Sequence, residues 1–370
     1  MSRWLWAGVL LVAVAACEQQ PAQTGGAKPT TQPAAQAATT QPAGKTAAQP
    51  TEKGTVAQPA GQTQAPAAKK TYRIALIPKG TTHEFWKSVH AGGVKAKREL
   101  GNVDLIYQGP QKEDDREQQV SLVQNFISRG VDAIVLAPLD DKALLPAAQQ
   151  AMKAKIPVVI IDSGLAGKVG EDFISYAATD NFKGGQLAGQ RIGEVLGGKG
   201  RVLLLRYQEG SNSTMERERG FVDAIGKFKD IQLIDPKRYA GPTRETAQQA
   251  SENLLIANTN IDGIFCPNES STFGMLLAVR SRGMAGKVHF VGFDASPGLL
   301  EALSKGEMDG LVVQNPMKMG YLGVKTAVDH LQGKKVEPLQ DTGVVIVTKE
   351  TMNQPEYKEL LSPDLSKYLD

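Results

Sequence analysis

TYRIALIPKGTTHEFWKSVHAGGVKAKRELGNVDLIY, residues 71–107, decides the fold class. Tyr72 to Ile77 is a short apolar strand, about Glu84 to Leu100 a helical stretch, and Val103 to Tyr107 a second strand. The same alternation continues outward with a helix over Arg116 to Arg129, a strand over Ala133 to Leu136, a helix over Lys142 to Lys155 and a strand over Pro157 to Ile161. Uninterrupted Val/Ile/Leu runs between helices imply parallel strands buried on both faces. Downstream, strands are expected at Ile174–Ala178, Val202–Leu205, Ile231–Ile234, Gly263–Cys266, Val288–Phe293, Gly310–Gln314 and Val344–Val347. Between them lie helices over Phe182–Leu196, Glu216–Phe228, Arg244–Ala257, Ser271–Arg282, Leu299–Lys305 and Lys318–Gln332. One sheet does not hold so many strands comfortably, so the reading is α/β with two doubly wound parallel-sheet lobes.

Composition narrows the function classes. The chain has 370 residues, 22% charged and 41% hydrophobic, with a net charge of +3. So small a charge gives no electrostatic case for nucleic acid. Four histidines and two cysteines, with no HExxH or CxxC spacing, imply no metal site, and no cofactor is implied either. Gly197-Gly198-Gly200 lacks the GK[ST] of a P-loop and reads as a turn after a helix.

At the N-terminus, Arg3 precedes a short apolar run from Leu5 to Ala13, which ends in Val14-Ala15-Ala16-Cys17. A bilayer-spanning helix needs roughly 20 apolar residues, so the run reads as a signal peptide over 1–16. The small residues before Cys17 resemble a bacterial lipobox, which makes Cys17 the expected lipidation point; an ordinary secretory signal with an incidental cysteine is the alternative. Glu18 after it does not decide between inner and outer membrane. Residues 17–70 are rich in Ala, Gln, Thr and Pro, hold seven prolines from Pro21 to Pro66, and lack aromatics, so a disordered tether is expected. With Cys17 lipidated, Cys266 has no intramolecular partner and reads as a buried thiol.

In open α/β sheets ligands bind beyond the carboxyl ends of the strands. Those positions hold Lys79, His83, Glu84, Phe85 and Trp86, then Pro138-Leu139-Asp140, Asp162-Ser163, Asn268-Glu269, Phe293-Asp294 and Gln314-Asn315. Carboxylates and amides take bidentate hydrogen bonds from vicinal hydroxyls, and an aromatic face covers the C–H face of a sugar ring. A hydroxyl-bearing ring is therefore the expected ligand.

These segments resemble the type I periplasmic sugar-binding proteins, the family of the ribose-binding protein. The resemblance covers Thr71 to about Val347. It is carried by Ile74-Ala75-Leu76 with Phe85-Trp86, by Asp162, and by Ala178-Thr179-Asp180-Asn181 with Gly184-Gly185. Arg217 with Gly220-Phe221, Asn268, Gly292-Phe293-Asp294 and Gln314 complete it. It implies a three-segment hinge near Thr179-Asp180, Asn315-Pro316 and Gln340-Thr342, with an N-lobe of 71–178 plus 316–340 and a C-lobe of 179–315 plus 342–370. It further implies a ligand-binding set of Lys79, His83, Phe85, Trp86, Asp162, Arg217, Asn268, Asp294 and Gln314, hinge closure on a small carbohydrate-like ligand, and delivery to a membrane-embedded ABC permease. An extracytoplasmic, lipid-anchored monomer is expected, in the periplasm or at the cell surface.

The pattern departs from ribose binding at Lys79, Ser163 and Pro242, which stand for a small hydroxyl residue, an arginine and an aromatic. Ile77-Pro78-Lys79 is also similar to the autoinducer-2 receptor of the superfamily. Several residues have structural alternatives. Asp162, Asn268 and Asp294 could cap turns or helices, Arg217 could lie on a solvated charged face, and Phe85 or Trp86 could be core. Arg244 is a weaker candidate for the site. Competing classes are a chemotaxis or sensor-kinase receptor with the same pocket, and an exported carbohydrate-active enzyme, which lacks a G-x-S-x-G elbow here. A related transcription regulator would need a basic helix-turn-helix ahead of the first strand, where signal peptide and tether stand instead.

Overall fold

The computed structural model describes residues 70–369. The signal peptide, Cys17 and nearly all of the tether lie outside the described residues.

Among the described residues, twelve strands fall into two six-stranded sheets. The first has the order β11-β5-β4-β3-β1-β2, built from β1 (Tyr72–Ile77), β2 (Val103–Tyr107), β3 (Ala133–Leu136), β4 (Val158–Ile161), β5 (Ser175–Ala178) and β11 (Leu339–Asp341). The second has the order β12-β10-β9-β8-β6-β7, from β6 (Lys199–Leu204), β7 (Asp230–Ile234), β8 (Gly263–Phe265), β9 (His289–Phe293), β10 (Gly310–Gln314) and β12 (Val344–Val347). All pairings are parallel except β10–β12, which is antiparallel. The uniform parallel sheet expected from the sequence therefore holds up to this edge. β12 enters straight from a strand of the other sheet, with no helix to reverse its direction.

Helices cover both faces of each sheet. The central strands β3 and β4 are wholly buried, as a run of Val and Ile with no polar alternation requires. Each such side chain contributes roughly 1.5–3 kcal/mol on burial. Around the first sheet lie α1 (Glu84–Leu100), α2 (Arg116–Ser128), α3 (Leu145–Lys153) and α9 (Pro316–Leu331). Around the second lie α4 (Asn181–Val195), α5 (Asn212–Ile225), α6 (Arg244–Ala257), α7 (Glu269–Ser281), α8 (Pro297–Lys305) and α10 (Pro355–Leu361). The chain passes between sheets after β5, after β10, and between β11 and β12.

Two helix pairs are pressed together at their backbones. A Cβ at Gly92 of α1 would stand 1.9 Å from the Met317 carbonyl oxygen, and one at Gly320 of α9 would stand 1.9 Å from that of Val89. In the other lobe the same reciprocity links Gly185 of α4 to the Arg217 carbonyl (1.9 Å) and Gly220 of α5 to that of Phe182 (2.0 Å). Only glycine permits such an approach.

α5 begins at Asn212, a turn earlier than the expected Glu216, and ends at Ile225. Asn212-Ser213-Thr214 reads as loop by composition, yet the Asn212 and Ser213 side chains find partners in the other lobe while the backbone is already helical. The C-terminal segment also differs from the expected division. Leu361 of α10 is buried in the second lobe, but a 3-10 turn at Leu365–Lys367 reaches back to α1, where the Arg98 guanidinium donates to the Tyr368 carbonyl (3.4 Å) and lies 5.7 Å from the Tyr368 ring.

Candidate functional site

The carboxyl ends of both sheets face one another across a narrow cleft with about 30 Å³ of free space. Lys79, His83, Phe85, Trp86, Asp162, Arg217, Asn268, Asp294 and Gln314 all line it, so the nine residues named from the sequence converge on one place. Glu113, Tyr207, Ser213, Thr214 and Glu269 line it as well.

Two aspartates occupy matching places in the two lobes. Asp162 follows β4 and Asp294 follows β9, and both have left-handed backbones, with φ of 63° and 69°. That region costs a non-glycine residue about 1–2 kcal/mol, and Asp is among the few residues that visit it. Asp162 is buried and ion-paired with Lys79 at 3.1 Å. Asp294 does not cap α8. Its carboxylate accepts from Gln314 Nε2 (2.6 Å) and from the Glu269 backbone N–H (3.1 Å). Burial pushes the Asp294 carboxyl up to about 6, against the pull of Arg217 and of the Gln314 hydrogen bond.

Arg217 is buried despite its charged neighbours, because Gly220 and Gly185 bring α5 onto α4 and turn it toward the hinge. It donates to Asn181 Oδ1 (2.8 Å), the Pro267 carbonyl (2.9 Å) and Gln314 Oε1 (3.0 Å), and lies 3.9 Å over the Phe293 ring. Its burial lowers its pKa, opposed first by Asp294 and then by Asp162. Thr179, at the first crossing, donates to the same Gln314 oxygen (3.0 Å). The hinge and the cleft thus share one hydrogen-bond network.

Asn268 combines both roles left open by the sequence. It caps α7 through a capping box with Ser271 and also lines the cleft. Trp86 and Phe85 divide their roles. Trp86 is 2% exposed in the core, and Phe85 meets it edge to face at 4.9 Å. His83 leads into α1 without capping it.

The largest element passed over in the sequence is Glu113. It sits in Lys112-Glu113-Asp114-Asp115, which looks like a solvated charge run, yet it is 6% exposed. It accepts from Trp86 Nε1 (2.7 Å) and Tyr207 Oη (3.0 Å), and His83 Nδ1 is 2.8 Å away. Burial opposes its ionisation, but the charge and hydrogen bond of His83, then Lys79 and Trp86, hold its carboxyl down at about 2. Burial likewise works against His83, and Glu113 more than offsets it, raising the imidazole to about 9. Tyr207 directly follows Leu205-Arg206 at the end of β6, where the strand-end rule would have found it.

Residues 207–213 of the second lobe close onto the first. Besides Tyr207, Gln208 Nε2 donates to the Glu113 carbonyl (3.0 Å), Arg116 donates to that of Glu209 (2.8 Å), and the Asp141 N–H to that of Gly210 (3.0 Å). The Gly164 N–H donates to Asn212 Oδ1 (3.2 Å), the Ser213 N–H to Ser163 Oγ (3.1 Å), and Lys79 Nζ to Ser211 Oγ (3.3 Å) and Ser213 Oγ (3.0 Å). Arg244 does not line the cleft. It pairs with Glu269 and lies 4.1 Å from the Phe273 ring. Cys266 is fully buried, and burial pushes its thiol well up.

Cationic and anionic groups are matched within this cleft: Lys79 with Asp162, His83 with Glu113, Arg217 near Asp294, and Arg244 behind Glu269. Such an array presents charge-assisted donors and acceptors to hydroxyl groups without demanding a charge on the ligand.

Residues 74–335 match the family described as periplasmic binding protein domain. The chain is 31% identical over 270 residues to the ribose import binding protein RbsB of Bacillus subtilis, covering 73% of this chain and 85% of that one. Among solved structures it is similar to an ABC transporter solute binding protein from Agrobacterium vitis with bound D-fucose, at 37% identity and TM-score 0.75, covering 78% of this chain and all of that one. A carbohydrate transporter solute binding protein from Agrobacterium radiobacter, in complex with D-arabinose, is 33% identical with TM-score 0.75, covering 80% and 100%.

Proposed function

The chain belongs to the periplasmic binding protein domain family, and on that premise we propose that it captures a small neutral sugar or sugar-like polyol outside the cytoplasm and hands it to an ABC permease, catalysing nothing itself. The observation that carries this is the charge-matched cleft, in which residues from both lobes and from the hinge converge. The sugars held by similar proteins, and the import role of the Bacillus subtilis relative, support it.

Closure follows from the geometry. Lys79, Glu113 and Asp162 stand on one wall of the cleft, and Arg217, Asn268 and Asp294 on the other. A polyol whose hydroxyls bond to both walls has a higher affinity for the closed arrangement, so it shifts the equilibrium toward it. Attachment through Cys17, a tether over 17–70 and a monomeric state complete the proposal, and rest on the sequence reading alone.

The test is a thermal-shift screen against monosaccharides, polyols, amino sugars and keto-sugars, followed by calorimetry. Stabilisation of about 2.7 kcal/mol is expected at a hundredfold excess of a neutral sugar over its dissociation constant. Asp162→Ala should abolish the response. A response confined to amino acids or metal ions would reject the assignment.

A further inference from the structure

Beside the cleft lies a second, partly open cavity of about 230 Å³, where the cleft itself leaves about 30 Å³. Phe85, Asp294 and Gln314 belong to the walls of both. Beyond those three the lining becomes mainly apolar: Pro297, Leu300, Val313, Leu360, Leu361 and Leu365. The cleft has no comparable space toward residues 207–213, where the lobes bond directly to each other.

We propose that this cavity receives a small apolar substituent carried by the sugar in the adjoining cleft, so that the ligand class is an alkyl or aryl glycoside. The substituent packs among Leu300, Leu360 and Leu365, on the far side of Phe85 from the cleft. The inference rests on the sugar-binding reading above and narrows it.

The test is calorimetry on the full chain. The free monosaccharide giving the largest thermal shift is compared with its methyl, butyl and phenyl glycosides, in both anomers. A butyl or phenyl glycoside of one anomer is expected to bind at least as tightly as the free sugar. Leu300→Trp, or Leu365→Trp, should weaken that glycoside tenfold or more while leaving the free sugar within about twofold, which also shows that the variant is folded. If the free sugar binds and every glycoside binds more than tenfold more weakly, the inference falls and the sugar-binding reading stands. If neither a free sugar nor a glycoside binds, both fall.

Discussion

His83 and Glu113 place a titratable pair between the lobes, and its sign can be worked out. His83 is raised from 6.5 to about 9 in the folded chain, so its contribution to stability is fully present below pH 6.5 and is lost as pH rises through 9. Glu113 is depressed from 4.5 to about 2, so its contribution is present above pH 4.5 and is lost as pH falls toward 2. Asp294 has the opposite sense to Glu113: raised from 3.8 to about 6, it favours the folded chain as pH falls through that interval. On the alkaline side, urea midpoints measured between pH 6.5 and 9 should show a stability loss on the order of 3 kcal/mol. His83→Asn should flatten that slope, and an unchanged slope would show that the pair does not set it. At this scale the sequence is legible where chemistry sits right at a strand end, as for Asp162, Asp294 and Gln314. It is not legible for Glu113, because five residues separate it from β2 and only the folded loop removes it from solvent. Nor does the sequence reveal that both aspartates are left-handed, a property set by the backbone around them.

Among the elements, the glycines of α4 and α5 do more than fill space. Gly220 lies one turn beyond Arg217 on α5, so whatever separates the two helices also moves the guanidinium away from Asn181 and Gln314. In Gly220→Ala the new methyl would stand 2.0 Å from the Phe182 carbonyl oxygen, and the helices must part. A destabilisation of about 1–3 kcal/mol is expected by thermal melting, with weaker ligand binding by calorimetry. Full affinity in this variant would show that Arg217 is not positioned by that contact. The order of strands and helices was readable because continuous apolar runs have few other uses in a chain of this length. The start of α5 was not, since Asn, Ser and Thr favour turns and here Asn212 and Ser213 are held by partners in the other lobe. The direction of β12 was equally hidden, because apolar runs look the same in either sense.

For the molecule as a whole, three crossings join the lobes covalently, and the C-terminal segment adds a fourth, non-covalent tie from the second lobe to α1. Arg98 and Tyr368 are the named contacts, both at the surface, where such pairs are worth up to about 1 kcal/mol. Deleting residues 363–370 should therefore lower ligand affinity less than about tenfold. It should also enlarge the radius of gyration of the unliganded protein by small-angle scattering. An identical scattering profile would show that the segment does not restrain opening.

The backbone-to-backbone glycine contacts at α1–α9 and α4–α5 have a mechanical consequence. A helix pair already touching at its peptide groups has no slack to slide or shear, so each half of the protein behaves as a stiff plate. Torsional freedom is then left to a few peptide units at 179–180, 315 and 342–343. Travel between the two states reduces to nearly one angular coordinate, and a ligand needs to do work along that coordinate alone.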